Sequence, residues 1–177
     1  MYDVYLSYMA EDKAIVGEIA RLLKDEYHLE VWLDKWNIVP GDSIHGAILK
    51  GLKEAKTCAI FTGKSTPGGW FKEEISVALS RLAEDTSFRV IPVLLPGGKN
   101  DNIPDFLQSR SFVDFSKGIY SEYEMYRLVC AIKGIQPVRG SVHDKFTGLK
   151  EFKTLGIITE EIYLETQRRI IDKYIKH

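Results

Sequence analysis

Two carboxylates stand together at Glu73 and Glu74, with a tryptophan four residues before the second, in the run Gly68-Gly69-Trp70-Phe71-Lys72-Glu73-Glu74-Ile75-Ser76-Val77-Ala78-Leu79. The glycines mark a turn that opens a helix, and Phe71, Ile75, Ala78, Leu79 and Leu82 recur at helical spacing to form its apolar face. At about 100° per residue, Glu73 points away from that face. Glu74 falls on its flank, within about 40° of Trp70 one turn earlier. One carboxylate and one indole therefore share a helix edge just after an expected strand, which in an open α/β sheet is where ligands bind. Glu74 is the expected chemical centre. The competing reading is an ordinary amphipathic helix with a solvated glutamate, the commoner fate of such residues.

Other arrangements fall short of their own requirements. Gly63-Lys64-Ser65-Thr66 has the ending of a phosphate-binding loop, but that motif needs a glycine five residues before Gly63, where Cys58 stands. A phospho-receiver would need an acidic residue at the end of the third strand, and that strand runs out at Phe61-Thr62. No histidine follows a strand as a base for a nucleophilic serine. His28, His45, His143 and His177 have no partner at metal-ligand spacing, so no metal site is expected. Cys58 and Cys130 read as buried core thiols.

The elements that must position Glu74 follow from the pattern. Strands are expected at Val4–Ser7, Glu30–Leu33, Cys58–Phe61, Arg89–Leu95 and Phe112–Phe115, with Pro92 marking an edge or irregularity. Between them lie a helix over Asp12–Tyr27 with Asp12 near its N-cap, and one capped by Ser43 with the face Ile44, Ala47, Ile48, Gly51, Leu52 and Ala55. The Glu74 helix, a helical turn near Pro104–Leu107 and a helix over Ser121–Lys133 complete the alternation. Asp34 to Asp42 reads as a loop, with Pro40-Gly41 as its turn. Short, continuous apolar strands alternating with helices imply a parallel sheet covered on both faces. The expected fold is a flavodoxin-like, doubly wound α/β domain with a five-stranded parallel sheet over residues 1–135. Residues 136–177 form a linker and a helical hairpin, with Phe146, Leu149, Phe152 and Leu155 on its first helix and a second capped by Thr159. So small a pair cannot bury much surface alone and must pack on the main domain or on another chain.

Composition narrows the function classes. Of 177 residues, 45% are hydrophobic and 28% charged, with a net charge of -1, so the chain has the profile of a globular protein without the basic excess of a nucleic-acid binder. No run reaches the length of a membrane span and no signal-peptide pattern opens the chain, which makes a cytoplasmic location the expectation.

Three separated segments then resemble one family. Tyr2-Asp3-Val4-Tyr5-Leu6-Ser7-Tyr8 is similar to the first signature box of Toll/interleukin-receptor (TIR) domains, Leu33-Asp34 through Val39-Pro40-Gly41-Asp42-Ser43-Ile44 to the second, and Phe112-Val113-Asp114-Phe115 to the weaker third. Some TIR domains only assemble; others cleave NAD+ at the nicotinamide–ribose bond and carry a Trp-x-x-x-Glu arrangement, here Trp70 to Glu74. The resemblance implies Glu74 as catalytic residue, with Ser7, Tyr8, Asp34, Lys35, Trp36 and Trp70 lining the substrate. NAD+ enters as substrate, and no cofactor is expected. It also implies that Val39, Pro40, Gly41 and Asp42 form a loop through which copies self-assemble and switch the enzyme on. Leu149 to Glu161 resembles the short C-terminal helical (SHOCT-like) module of many bacterial proteins. The implied role is bacterial antiphage signalling, with a separate effector or sensor protein as a further partner. The alternative, from another class, is a non-enzymatic assembly module or a mimic of host signalling.

Overall fold

Each short apolar run has two faces to bury, and a parallel sheet between helix layers buries both. The computed structural model describes residues 1–65, 70–137 and 142–174; of residues 70–74, 142–144, 147 and 171–174 it describes the backbone alone. The strands are β1 (Val4–Ser7), β2 (Val31–Trp32), β3 (Thr57–Thr62), β4 (Arg89–Leu94) and β5 (Val113–Asp114). The helices are α1 (Lys13–Asp25), α2 (Asp34–Asn37), α3 (Ile44–Glu54), α4 (Trp70–Glu84), α5 (Asp105–Gln108), α6 (Glu122–Lys133), α7 (Val142–Thr154) and α8 (Glu160–Tyr174). All pairings are parallel, and the five strands lie in the order β2-β1-β3-β4-β5. The doubly wound fold expected from the sequence is the fold observed.

Strand periodicity sorts the core into two layers. Val4 and Leu6 of β1, with Ala59 and Phe61 of β3, face the layer of α1 and α6. Tyr5, with Cys58 and Ile60, faces the layer of α3 and α4. In that second layer Trp32 stacks on Tyr5 at 4.4 Å between ring centroids. Gly51 of α3 lies so close that an added Cβ would stand 2.3 Å from the indole of Trp32, so only glycine lets α3 approach the sheet there. Burial pushes the Cys130 thiol up to about 11, opposed by its hydrogen bond with Tyr126, so this sulfur is a packing group at neutral pH.

Helix ends follow local chemistry. Ser43 Oγ accepts the Gly46 N–H at 3.2 Å and Ser121 Oγ accepts the Glu124 N–H at 3.3 Å, each satisfying a first-turn donor. Gly134 ends α6 with φ +73. Thr159 Oγ1 accepts the Ile162 N–H at 3.3 Å to cap α8.

Three expectations need correction. Asp34 to Asn37 is helical, because the Leu33 carbonyl accepts the N–H groups of Trp36 and Asn37 while Asn37 Oδ1 accepts the Leu33 N–H at 3.0 Å. Ile44 and Leu155, assigned to apolar faces, are 60% and 55% exposed, since each sits at a helix end beyond the packed turns. Pro92 lies in an internal strand. Yet β5 pairs with β4 only from Val93 onward, so the first half of β4 has β3 as its one neighbour. Asp12, by contrast, stands at the N-cap position of α1 as expected, though its side chain makes no capping hydrogen bond there.

The C-terminal helices pack on the main body. Leu149, Phe152, Ile157 and Ile158 are buried in the apolar cluster that holds α1 and α6, and the Phe152 ring lies 5.2 Å from that of Tyr126. No described helix is long and apolar enough to cross a membrane.

Candidate active site

The chain leaves β1 toward β2 on one side and then crosses to β3 on the other. The strand order therefore reverses between β1 and β3, and a crevice opens beyond their C-terminal ends. Four connections meet at this edge: those after β1, β2, β3 and β4.

Ser7 ends β1, buried, in register with Ile60 of β3. Tyr8 follows, half-buried, and its hydroxyl donates to Asp34 Oδ1 at the start of α2. The same oxygen accepts the Lys35 N–H at 2.6 Å. This carboxylate thus ties the ends of β1 and β2 together, and two of the expected substrate-lining residues meet there. Lys35 is exposed. Trp36 is half-exposed, with the Lys24 ammonium of α1 5.4 Å from its ring, so one face of the indole packs against the neighbouring helix.

Val39 to Asp42 projects beyond this cluster. The Asp42 N–H donates to the Val39 carbonyl at 3.0 Å, closing a turn whose Gly41 has φ +103, a conformation that disfavours other residues. Val39 is 62% exposed, and the neighbouring Ile44 is also exposed. Two apolar side chains of this stretch are therefore left in solvent.

Trp70 and Glu74 occupy the first turns of α4, the end of the helix that lies toward the crevice edge, since the helix returns the chain from the end of β3 to the start of β4. Their side chains lie outside the described residues, as do Gly68 and Gly69. Further along α4, Ile75 and Ala78 are buried and Leu79 and Leu82 half-buried, as the apolar periodicity requires.

One carboxylate at the crevice escaped the sequence reading. Asp12 precedes α1, and its carboxylate lies so close to Gly63, the first residue after β3, that a Cβ there would stand 2.3 Å from one of its oxygens. Burial, with the Glu11 carboxylate beside it, raises its pKa above the usual range, while the Gly63 N–H opposes the shift. An Asp before a helix reads locally as a cap, and its partner lies 51 residues away (63 − 12), so no local signal reveals the contact.

A cavity of about 360 Å³ lies at the opposite edge, lined by residues including Asp3, Lys56, Arg81, Arg89 and Lys133. Its cations have structural work. Arg81 donates to the carbonyls of Leu52 and Ala55 at the end of α3, and Asp3 binds Lys56 at 2.8 Å and Lys133 at 3.8 Å. Positive groups beside helix C-termini complement the dipole and the last carbonyls, so the cavity is not the place to look for the chemistry.

Comparison with known proteins agrees with this architecture. A family model described as TIR domain matches residues 4–129. The TIR domain of a Toll-related receptor from Hydra magnipapillata superposes with a TM-score of 0.60 at 16% identity, over 75% of this chain and 99% of that one. A TIR-STING receptor from C. gigas, solved with 2',3'-cGAMP, gives 0.61 at 19% identity, over 88% of this chain and 46% of that one. The TIR domains of the activated Roq1 resistosome give 0.54 at 18% identity, over 76% and 96%. At these identities the likeness is one of fold. A search of curated proteins found no match.

Proposed function

The chain belongs to the TIR domain family, and we propose that it is one of the members that cleave NAD+ at the nicotinamide–ribose bond, with Glu74 as the catalytic carboxylate. The observation that carries this is the Trp70-x-x-x-Glu74 spacing in the opening turns of α4, the helix that starts at the crevice edge. The position one turn after Glu74 is Ala78, fully buried, whereas the position one turn after Glu73 is the half-buried Val77. Position 74 therefore shares a helix row with the packed side of α4, which favours it over position 73 for a role in the crevice.

One carboxylate suffices for this chemistry. Nicotinamide leaves as a neutral base from a cationic glycoside, so no general acid is needed. The C1'–N bond breaks with its electron pair going to the nicotinamide nitrogen, and positive charge develops on the ribose as in other glycoside cleavages. A carboxylate beside the ribose stabilises that charge and orients the hydroxyls. The indole of Trp70 supplies a flat wall for a base. Ser7, Tyr8, Asp34, Lys35 and Trp36 line the approach from the first and second strands. Water then gives ADP-ribose, or an adenine nitrogen gives a cyclic isomer.

The exposed tip formed by Val39 and its neighbours supports assembly between copies as the switch for activity, and it is equally what a non-enzymatic assembly module would present. The C-terminal helices are read as a SHOCT-like addition, and the whole as a bacterial defence protein that signals to a separate effector. The deciding experiment incubates the chain and its Glu74→Ala variant with NAD+ and separates nicotinamide, ADP-ribose and cyclic products by chromatography. The expected result is nicotinamide release by the unmodified protein and a loss of at least about a hundredfold in the variant. Equal turnover would remove Glu74 from the mechanism. No turnover by concentrated, assembled protein would favour the assembly module.

A further inference from the structure

We propose that side chains of α2 and α6 seal the two open edges of the sheet, so that copies of this chain associate without adding strands to it. The inference is independent of the reaction proposed above and concerns how the chain meets its own copies.

An edge strand carries a row of backbone groups that no neighbouring strand takes, and such a row is a template for pairing with another chain. The edges here are β2 and β5. Each pairs with its inner neighbour through two residues, so the open row is short, yet its outward N–H and carbonyl groups still need partners.

On β5 the outward residues follow from the pairing. Asp114 stands in register with Leu94, and the Phe115 N–H donates to the Leu94 carbonyl at 2.8 Å. In a parallel ladder one residue of a pair bonds to both neighbours of the other. Val113 and Phe115 therefore face β4, and Phe112 and Asp114 turn their backbone groups outward. Helix α6 takes one group from each. Glu124 Oε2 accepts the Asp114 N–H at 2.8 Å, and Arg127 Nη2 donates to the Phe112 carbonyl at 2.8 Å. The same Glu124 oxygen accepts Arg127 Nη1 at 2.8 Å, which locks the two side chains together.

The pair is placed for this task. Glu124 and Arg127 are three residues apart and so share one edge of the helix. The Ser121 cap fixes the first turn from which Glu124 projects. An exposed pair at this spacing would contribute little. This one is 15% and 16% exposed, and both members reach past each other to the backbone of the strand.

The opposite edge repeats the device with other residues. The Val4 N–H donates to the Glu30 carbonyl at 3.3 Å, with Val4 in register with Val31, so Glu30 and Trp32 face β1 and Leu33 turns outward. Asn37 Oδ1 accepts the Leu33 N–H at 3.0 Å, and the Leu33 carbonyl accepts the N–H groups of Trp36 and Asn37. At both edges the cover comes from the helix that follows the edge strand. A second copy meeting either edge finds the groups that a new strand would use already bonded.

The test uses the full chain and its variants Glu124→Ala/Arg127→Ala and Glu124→Gln. Sedimentation velocity over a range of concentrations reads association, and hydrogen exchange followed by NMR reads the Asp114 amide. In the unmodified protein, protection of Asp114 is expected to be the same at every concentration. In the double variant it falls about tenfold or more in dilute solution, because a hydrogen bond to a charged group is lost. The double variant then associates at a lower concentration than the unmodified protein, and Asp114 protection returns as the associated species forms. Glu124→Gln, whose amide oxygen still accepts the Asp114 N–H, behaves as the unmodified protein. A folded double variant that associates no more strongly than the unmodified protein would overturn the proposal. So would association that leaves Asp114 unprotected, since the new contact would then use another face. Should the double variant not fold, Glu124→Ala alone carries the same two readouts, because it uncovers the Asp114 N–H and leaves Arg127 in place.

Discussion

At the residue scale, charge placement divides the molecule into two edges with different tasks. Beyond the C-terminal ends of the strands, Asp34 accepts the Tyr8 hydroxyl and so links the connections after β1 and β2, while the Asp12 carboxylate lies against Gly63 after β3. Beyond the N-terminal ends, Asp3 serves stability. Partial burial pushes its pKa up, but the Lys56 ammonium, the Glu30 N–H and Lys133 outweigh this and hold it below the usual carboxylate range. A carboxyl with a folded-state pKa below its unfolded value stabilises the fold above the unfolded pKa. That stabilisation fades as pH falls through the folded value. Asp3→Asn is therefore expected to lower Tm at pH 7 and to lose that deficit below about pH 4, where the unmodified carboxyl is protonated in the unfolded chain. Thermal melts of both proteins from pH 7 to pH 2.5 check this; a constant difference across the range would contradict it.

At the scale of elements, the C-terminal hairpin is part of the core, not a pendant. Phe152 of α7 is 3% exposed against Tyr126 of α6, whereas Leu155, one turn on, is mostly exposed. Phe152→Ala is expected to cost about 3–5 kcal/mol by emptying a packed site. Leu155→Ala should stay within about 0.5 kcal/mol, since little is buried there. Urea unfolding at fixed m-value distinguishes them, and similar midpoints for both variants would mean that the hairpin does not share the core's stability. The periodicity of α7 identified Phe152 and Leu149 as inward, because any helix packed on one side buries a stripe. It could not show where the stripe ends, since that depends on the length of the surface opposite.

At the scale of the whole molecule, Val39 and Ile44 are exposed apolar residues on the connection that follows β2. A contact between copies through these residues would engage the same connection that carries Asp34, the partner of Tyr8. Val39→Asp is expected to reduce self-association in sedimentation velocity and to leave Tm unchanged, because the side chain packs on little within the monomer. If the variant associates as strongly as the unmodified chain, assembly uses another face.

What the sequence determined by itself was the set of elements and their class. Strands such as Cys58 to Phe61 are apolar on both faces, and that composition is enough to demand a covered parallel sheet. The Trp70-to-Glu74 spacing was equally legible, because it depends only on the 3.6-residue repeat. The tertiary structure decided which ends meet. The order β2-β1-β3-β4-β5 places the crevice between β1 and β3. It joins Tyr8 to Asp34, and it sets the Asp12 carboxylate against Gly63. These contacts span tens of residues and carry no periodic signature. An aspartate at the start of a helix reads the same whether or not a distant strand end lies against it, and only the tertiary structure brings Gly63 there.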